Sequence, residues 1–131
     1  MPPISLVAVF AAAVSSFLLG GVWYAALFAK PWQAAAGLSD EDLKSRNMAL
    51  VFGGSFLFAL VGAFVFAMFL GPKPGLAFAT GAGFAAGLAW VAGSFGINYL
   101  FEKRPLTLLL INGGYHTLQY TLIGAVIGWL G

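Results

Sequence analysis

The stretch MALVFGGSFLFALVGAFVFAMFL, residues 48–70, contains no charged side chain, and its only polar one is Ser55. A helix needs about 20 predominantly apolar residues to cross a hydrocarbon core of roughly 30 Å. Three further uncharged stretches of sufficient length occupy residues 4–28, 76–101 and 106–130. The sequence therefore predicts an all-α fold: an integral membrane four-helix bundle that forms a single transmembrane domain over residues 1–131.

The composition indicates the same class of protein. With 61% hydrophobic and 8% charged residues among 131, the chain lacks the charged surface with which a soluble domain covers its core. It has no cysteine, which excludes disulfides and thiolate metal sites. The net charge of +2 is too small to favour nucleic acid. We therefore expect the lipid bilayer to be the partner that surrounds the chain.

All six basic and all four acidic residues lie in the three linkers between the predicted spans. The first and third linkers hold five of the six Lys and Arg residues, and the second linker holds only Lys73. The positive-inside rule then places the first and third linkers in the cytoplasm and both termini outside. An inverted or dual topology stays open, because each linker carries few charges.

The linkers also predict how the helices are connected. Ser39 and Asp42 have the spacing of a capping box, which predicts that the second helix begins near residue 40 and continues into the membrane. The segment GPKPG, residues 71–75, is typical of a tight turn. Because the second and third linkers are short, we expect two antiparallel hairpins in which helices two and three, and three and four, are neighbours.

A weak internal two-helix repeat is visible in the sequence. A shift of 60 residues places VFGG, residues 51–54, over INGG, residues 111–114. A shift of 73 residues matches four positions in and directly after the first span with four in and directly after the third: Gly20, Leu27, Phe28 and Lys30 with Gly93, Leu100, Phe101 and Lys103. Repeated units of this size are common in small membrane folds.

Glycine supplies 18 residues, and the predicted third helix carries a small residue at every fourth position: Gly75, Ala79, Gly83 and Gly87. Small residues at this spacing allow two helices to approach closely in a membrane. Packing within the chain would use part of these surfaces. Because the third helix is small on more than one face, we also expect a homo-oligomer.

The fourth span differs from the others in its polar side chains. They recur at spacings of three and four and so share one helix face: Asn112, Tyr115, His116, Gln119 and Tyr120. Such groups normally face a bundle interior or a hydrated cavity. Together with Asn98 of the third span, they form our candidate polar path or binding face. A structural role for His116, as a hydrogen-bonding group between helices, stays open.

Aromatic residues mark the end of the first span. Trp23, Tyr24 and Trp32 form an interfacial aromatic motif of the kind that anchors helices at the headgroup level. Trp23 and Tyr24 also lie at a level where they would reach the candidate polar face. Both interpretations stay open.

Several chemistries are disfavoured by what the spans lack. They contain no Asp or Glu, which disfavours proton-coupled or cation-coupled export. One histidine per chain is too few for a zinc site or a pair of haem ligands. We therefore expect no enzymatic activity, no catalytic residues, no metal and no cofactor.

Two functions are then open. The first is a small oligomeric channel or transporter for a small solute, lined by the polar face of helix four with His116 as its gate or protonatable group. The second is a non-transporting membrane module that binds a lipid, a hydrophobic cofactor or a partner protein in a groove between helices. The many aromatic residues, among them 13 Phe, suit the second.

Three short segments also carry a family resemblance: GGVWY at 20–24, FAKPW at 28–32 and INGGYH at 111–116. They resemble a domain-of-unknown-function family of small four-helix bacterial membrane proteins, and the resemblance extends over nearly the whole chain. It implies a four-span membrane domain and no particular activity.

Overall fold

The computed structural model describes residues 4–131. This part of the chain is helical and contains no strand, which confirms the predicted all-α class. Two of the helices include a π-helical segment, Val22–Leu27 in the first and Ala86–Ala92 in the fifth. The six helices are α1 Leu6–Leu27, α2 Ala29–Ala36, α3 Asp40–Lys44, α4 Met48–Leu70, α5 Leu76–Glu102 and α6 Leu106–Leu130.

Three of these helices, α1, α4 and α5, are long and apolar enough to cross a membrane. The predicted membrane-spanning character is therefore supported for three helices. Helix α6 has 25 residues, which is long enough, but it is not among the three. Its polar residues, above all Asn112, His116 and Gln119, interrupt the apolar sequence.

The segment between α1 and α4 differs from the prediction. The capping box is present: the Asp42 backbone N–H donates to Ser39 Oγ at 3.0 Å, and the Ser39 N–H donates to the Asp42 carboxylate at 2.9 Å. A continuous helix from residue 40 into the membrane is wrong, because α3 ends at Lys44. Asn47 adopts an extended backbone and caps α4 separately, with its Oδ1 accepting from the Leu50 N–H at 3.2 Å.

Helix α6 is the central helix of the bundle. It packs along α5 and against α1, and it also touches α2. Helix α4 packs mainly on α1 and makes a smaller contact with α6. The ends of the described chain, Ile4 and Gly131, lie beside the turn after α4, since they line one cavity of about 320 Å³ with Gly71. We call this the turn end of the bundle. The opposite end, which contains the first and third linkers, is the charged end.

The prediction that α4 and α5 are close neighbours is wrong. The turn at residues 71–75 joins them, but they are not packed on each other along their length, and an apolar groove separates them. Close contacts between membrane helices use small residues. Helix α4 instead presents Phe66 and Phe69 to the groove, and these rings occupy the space that a close contact would need.

Helices α5 and α6, by contrast, touch through their backbones. A Cβ atom added at Gly83 would meet the carbonyl oxygen of Tyr120, and one added at Gly124 would meet that of Ala79. The row of small residues predicted on the third helix is therefore used within the chain. Such close approach is what glycine permits in a membrane helix pair.

The same glycines show the register of the α5–α6 pair. Toward the turn end the contacts follow one another in steps of four: Gly75 with Gly128, Ala79 with Gly124, Gly83 with Tyr120, and Gly87 with His116. The next contacts toward the charged end are Ala92 with Gly113 and Gly96 with Leu109. Between Gly87 and Ala92 the step on α5 is five residues. The π segment Ala86–Ala92 accommodates this extra residue, because a π turn is wider than an α turn.

Candidate functional site

Four of the five polar residues predicted to share one face of α6 converge in one cluster between α1, α5 and α6. These four are Asn112, Tyr115, His116 and Gln119. Spacings of three and four residues place these side chains one above another on the helix surface. Because α6 lies between α1 and α5, that face meets side chains from both neighbours rather than lipid.

Asn112 joins three helices at the end of the cluster nearer the charged linkers. Its Oδ1 accepts a hydrogen bond from the Tyr24 hydroxyl of α1 at 2.6 Å. Its Nδ2 donates to the Tyr99 hydroxyl of α5 at 2.8 Å. One amide side chain thus uses its acceptor on one neighbour and a donor on the other. Because lipid offers no alternative partner, these bonds fix the relative positions of the three helices.

The π segment of α1 explains how two consecutive residues reach α6. Successive side chains in an α-helix point about 100° apart, and the wider π turn reduces that angle. Trp23 and Tyr24 lie within Val22–Leu27 and both contact α6: the Trp23 Nε1–H donates to the Ile111 carbonyl at 2.8 Å, while Tyr24 bonds Asn112. π segments of this kind occur frequently at functional sites.

The half of the cluster nearer the turn end is organised around Ser16 of α1, which is fully buried. The Tyr115 hydroxyl donates to the Ser16 carbonyl at 3.0 Å, and the Gln119 Nε2 donates to the Ser16 Oγ at 3.3 Å. His116 Nδ1 lies 2.7 Å from the Gln119 Oε1. Since an amide oxygen can only accept, the hydrogen of the neutral imidazole is on Nδ1 in this arrangement, and Nε2 is left as an acceptor.

Aromatic rings enclose the polar atoms. Phe95 of α5 stacks on His116 with centroids 5.2 Å apart and ring planes 12° apart. Tyr115 meets His116 edge to face at 4.8 Å, and Tyr24 meets Tyr115 at 5.3 Å. Trp32 of α2 extends this group through an edge contact with Tyr24 at 5.8 Å. Within residues 4–131, every fully buried side-chain nitrogen or oxygen has a hydrogen-bond partner.

Glycines of two segments that carry the family resemblance, GGVWY at 20–24 and INGGYH at 111–116, provide room for this packing. A Cβ atom at Gly114 would lie 3.1 Å from the Trp23 ring, and one at Gly20 would lie 3.2 Å from the Tyr115 hydroxyl. Gly113 faces Ala92 of α5 in the same way. The GGVWY and INGGYH segments therefore pack directly against each other.

The remaining predicted site residues lie elsewhere. Tyr120 faces α4, where its ring packs against Phe66 at 5.8 Å and its hydroxyl approaches Gly62. Asn98 is exposed and makes no bond to the cluster, so grouping it with the stripe is wrong. Its neighbour Tyr99 takes that place because the helix phase turns it, and not Asn98, toward α6. Phe95 is the member that the sequence gives no reason to select, since nothing marks it among 13 phenylalanines.

The extent of the cluster limits what it can do. From Asn112 to Gln119 it covers eight residues, about 10 Å along α6. Toward the turn end, α6 continues with Ile123 and Ile127, which belong to the apolar core with Ala12 and Ala63. The cluster contains no carboxylate, and the described residues contain no group of three His, Cys, Asp or Glu side chains placed to hold a metal ion. It is a neutral, hydrogen-bonded network that ends inside the bundle.

These features define a small all-helical protein with helices able to span a membrane and a polar cluster inside its bundle. The chain belongs to the family described as "Protein of unknown function (DUF1761)", whose model matches residues 7–128. The matched range includes the GGVWY and INGGYH segments, and the match agrees with the resemblance seen in the sequence. No curated protein and no solved structure matches the chain.

Proposed function

We propose that this protein is a non-enzymatic membrane module that holds a lipid acyl chain in the groove between α4 and α5, with the polar cluster as its rigid scaffold. The groove is the observation that carries the proposal. We further propose four membrane crossings in a bacterial inner membrane, with the charged end in the cytoplasm and both termini outside. The excess of Lys and Arg in the first and third linkers supports that orientation.

A crossing by α6 is supported by its length and its neighbours. Its 25 residues extend over about 37 Å, enough for a hydrocarbon core of roughly 30 Å. It accompanies the membrane-capable helix α5 from Gly128 at the turn end to Leu109 near the charged end. Its polar groups are covered by α1 and α5, so the helix exposes little polarity to lipid.

The groove has a small apolar floor and a bulky rim. Ala82, Ala86 and Phe66 lie at its base, where they belong to the apolar core or pack against it. Phe69, Phe78 and Trp90 line it and are 64–79% exposed. Its volume is about 310 Å³. A surface of this kind has apolar walls and an open side from which a chain can enter.

The dimensions fit one acyl chain of one leaflet. From Phe78 to Trp90 the groove follows α5 for about 18 Å, and one leaflet contributes about half of a core of roughly 30 Å. A partner helix fits less well, because close helix contacts in membranes need small residues at the edges. Here the small residues are at the base and the rings project around them. We therefore propose a slender flexible ligand.

The transport hypothesis has less support. A continuous polar path would need polar groups along the whole of α6, whereas Ile123 and Ile127 follow the cluster toward the turn end. Asn112, Tyr115 and Gln119 also bond to Tyr24, Tyr99 and Ser16 of the neighbouring helices. We therefore expect proteoliposomes with the wild-type protein and with His116→Ala to leak small solutes equally. A solute flux that depends on His116 would support a transporter instead.

The groove is tested by filling it. Ala85 lines the groove, and Ala77 is an exposed alanine of the same helix outside it. We expect Ala85→Phe to release most of the phospholipid that the wild-type protein retains after mild detergent purification, counted by native mass spectrometry. Ala77→Phe is the matched control and should retain the wild-type amount. Equal retention by both variants would contradict the proposal.

The homo-oligomer stays a prediction, and its support has moved to other residues. One of the small-residue rows that suggested it, Gly75 to Gly87, is used by the contact with α6. Gly53 and Gly54 of α4 and Gly81 of α5 have nothing within 4 Å and are free for another subunit. A single-subunit mass both in mild detergent and in nanodiscs would contradict oligomer formation.

A further inference from the structure

We infer that the lipid held between α4 and α5 is an anionic phospholipid of the leaflet at the turn end, with its phosphate bound by Lys73. This inference rests on the proposed function. It adds the headgroup charge and the leaflet, which the groove alone does not specify.

The position of Lys73 follows from the connection of the two groove walls. Phe69 and Leu70, the last residues of α4, line the groove, and Phe78 lines it from the first turn of α5. Lys73 lies in the turn between them and is exposed. A chain that fills the groove from this end has its headgroup at the level of the turn. Lys73 also lines the neighbouring cavity at this end of the bundle, so its ammonium group is a cation of the same headgroup region.

The charge pattern favours an anion at this place. Lys73 is the only charged residue between Arg46 and Glu102, so no carboxylate in α4, in the turn or in the spanning part of α5 competes for it. A lysine ammonium is a compact phosphate-binding charge. At the charged end, by contrast, basic and acidic residues are mixed; Arg104 and Glu102, for example, pair at 3.2 Å.

The backbone of the turn supports a specific role for this side chain. Lys73 has a φ of 48°, in the left-handed region that glycine adopts most easily. Pro72 and Pro74 on either side restrict the backbone of the turn. Gly71 and Gly75 also have positive φ, so glycine is used at neighbouring positions with the same requirement. A lysine at the third such position costs conformational energy, and binding of an anion by its ammonium group gives a reason for it.

The size of the effect follows from lysine at a membrane surface. Attraction between one such lysine and anionic lipid corresponds to about a fivefold preference over zwitterionic lipid. The chain offers a matched control in Lys103, which also has a positive φ, 56°, but lies at the charged end away from the groove. Lys73→Gln and Lys103→Gln remove the same charge from the same kind of backbone conformation.

The experiment uses the full chain in nanodiscs that contain equal amounts of phosphatidylglycerol and phosphatidylcholine. After release into the gas phase, native mass spectrometry counts the lipids of each class that stay bound. We expect the wild type to retain phosphatidylglycerol about fivefold over phosphatidylcholine. Lys73→Gln should bring the ratio close to one without lowering the total, and Lys103→Gln should keep the wild-type ratio.

The outcomes separate this inference from the proposed function. An unchanged ratio in Lys73→Gln, or an equal loss of preference in Lys103→Gln, would overturn the assignment to Lys73, while a bound lipid that Ala85→Phe displaces would leave the groove intact. If Ala85→Phe leaves the total unchanged, the groove itself is wrong. A headgroup preference that survives Ala85→Phe would mean that Lys73 binds lipid at the surface only, which overturns the inference as well.

Discussion

Helices α4 and α6 are similar in length, with 23 and 25 residues, but they are used in opposite ways. Helix α4 is the more apolar and lies at the periphery, with four buried residues. Helix α6 carries the polar cluster, lies at the centre and has eight buried residues. Of these two helices, only α4 is apolar enough to be a candidate for crossing a membrane. The difference teaches that a central helix can carry polar groups that find partners on its neighbours, whereas a peripheral helix of this bundle is almost wholly apolar.

The two glycine pairs that the predicted repeat aligns between α4 and α6 show the same contrast. Gly113 and Gly114 of α6 receive Ala92 and the Trp23 ring. Gly53 and Gly54 occupy the corresponding positions of α4, and nothing lies within 4 Å of where their Cβ atoms would be. A shared sequence pattern therefore does not imply a shared packing role in this fold.

The largest effect is expected from glycines of α6 that touch backbone. Gly124→Ala would press a methyl group against the Ala79 carbonyl, and helix backbone cannot move aside as a flexible side chain can. We expect a loss of about 2–3 kcal/mol of unfolding free energy, the upper part of the range of about 1–3 kcal/mol that is typical of overpacking. Reversible unfolding in mixed micelles measures it.

The matched change in α4 is Gly54→Ala. It meets open space, and alanine is the better helix former by roughly 0.5–1 kcal/mol, so we expect wild-type stability or a slight gain. Similar losses at Gly124 and Gly54 would mean that α4 also lies in a close contact. That result would remove the distinction between the two helices and would favour a subunit interface at Gly54.

Much of the fold could be predicted from the sequence because lipid imposes simple requirements on length and polarity. The helical class, the membrane-capable stretches and the Ser39–Asp42 capping box follow from local patterns. The order of packing does not. Short linkers favour contact between α4 and α5, but phenylalanines at that contact keep the helices apart, and helix shape rather than connection decides the neighbours. The π segments, which change side-chain direction, also have no clear signature in the sequence.

An intermediate effect is expected from the polar cluster of α6. Gln119 accepts from His116 and donates to Ser16, so Gln119→Leu leaves both without partners. Buried unpaired groups cost about 1–3 kcal/mol, whereas hydrogen bonds between membrane helices average about 0.6 kcal/mol. We expect a loss of about 1–2 kcal/mol in the same unfolding assay.

A double-mutant cycle with Ser16→Ala isolates the bond itself. We expect the two losses to be less than additive, because each substitution removes the same interaction. Ser55→Ala, on the exposed face of α4, is the control and should be close to neutral. Fully additive losses for Ser16 and Gln119 would show that the cluster stabilises α6 by packing and not through this hydrogen bond.

The candidate site could be predicted only in part, for a reason that these bonds make plain. Spacing alone places Asn112, Tyr115, His116 and Gln119 on one face of α6. Their partners depend on the rotation of α1 and α5 about their own axes. One step of helix phase separates Tyr99, which bonds Asn112, from Asn98, which is exposed. Tertiary packing, and not residue type, makes that choice.

The smallest effect concerns how α4 and α6 begin. Helix α6 starts after Pro105 without a side-chain cap, whereas the approach to α4 has the Ser39–Asp42 box and the Asn47 cap. The Ser39 backbone N–H, assisted by its hydroxyl, lowers the pKa of Asp42 from its usual 3.8. A lowered pKa in the folded state means that the box is stabilised above pH 3.8 and loses this stabilisation as the pH falls through the lowered value.

We therefore expect α3 to lose helical structure on acidification, followed by amide hydrogen exchange of Asp40–Lys44 in micelles. Ser39→Ala should weaken α3 already at neutral pH, because it removes the hydroxyl that accepts from the Asp42 N–H. Only the bond from the backbone N–H of residue 39 to the Asp42 carboxylate then remains. Glu41→Gln, in the same turn but outside the box, is the matched control and should leave the acid transition of α3 unchanged. If instead Ser39→Ala leaves exchange in α3 at its wild-type level while Glu41→Gln raises it, the charge of the first helical turn, rather than the capping box, holds the approach to α4.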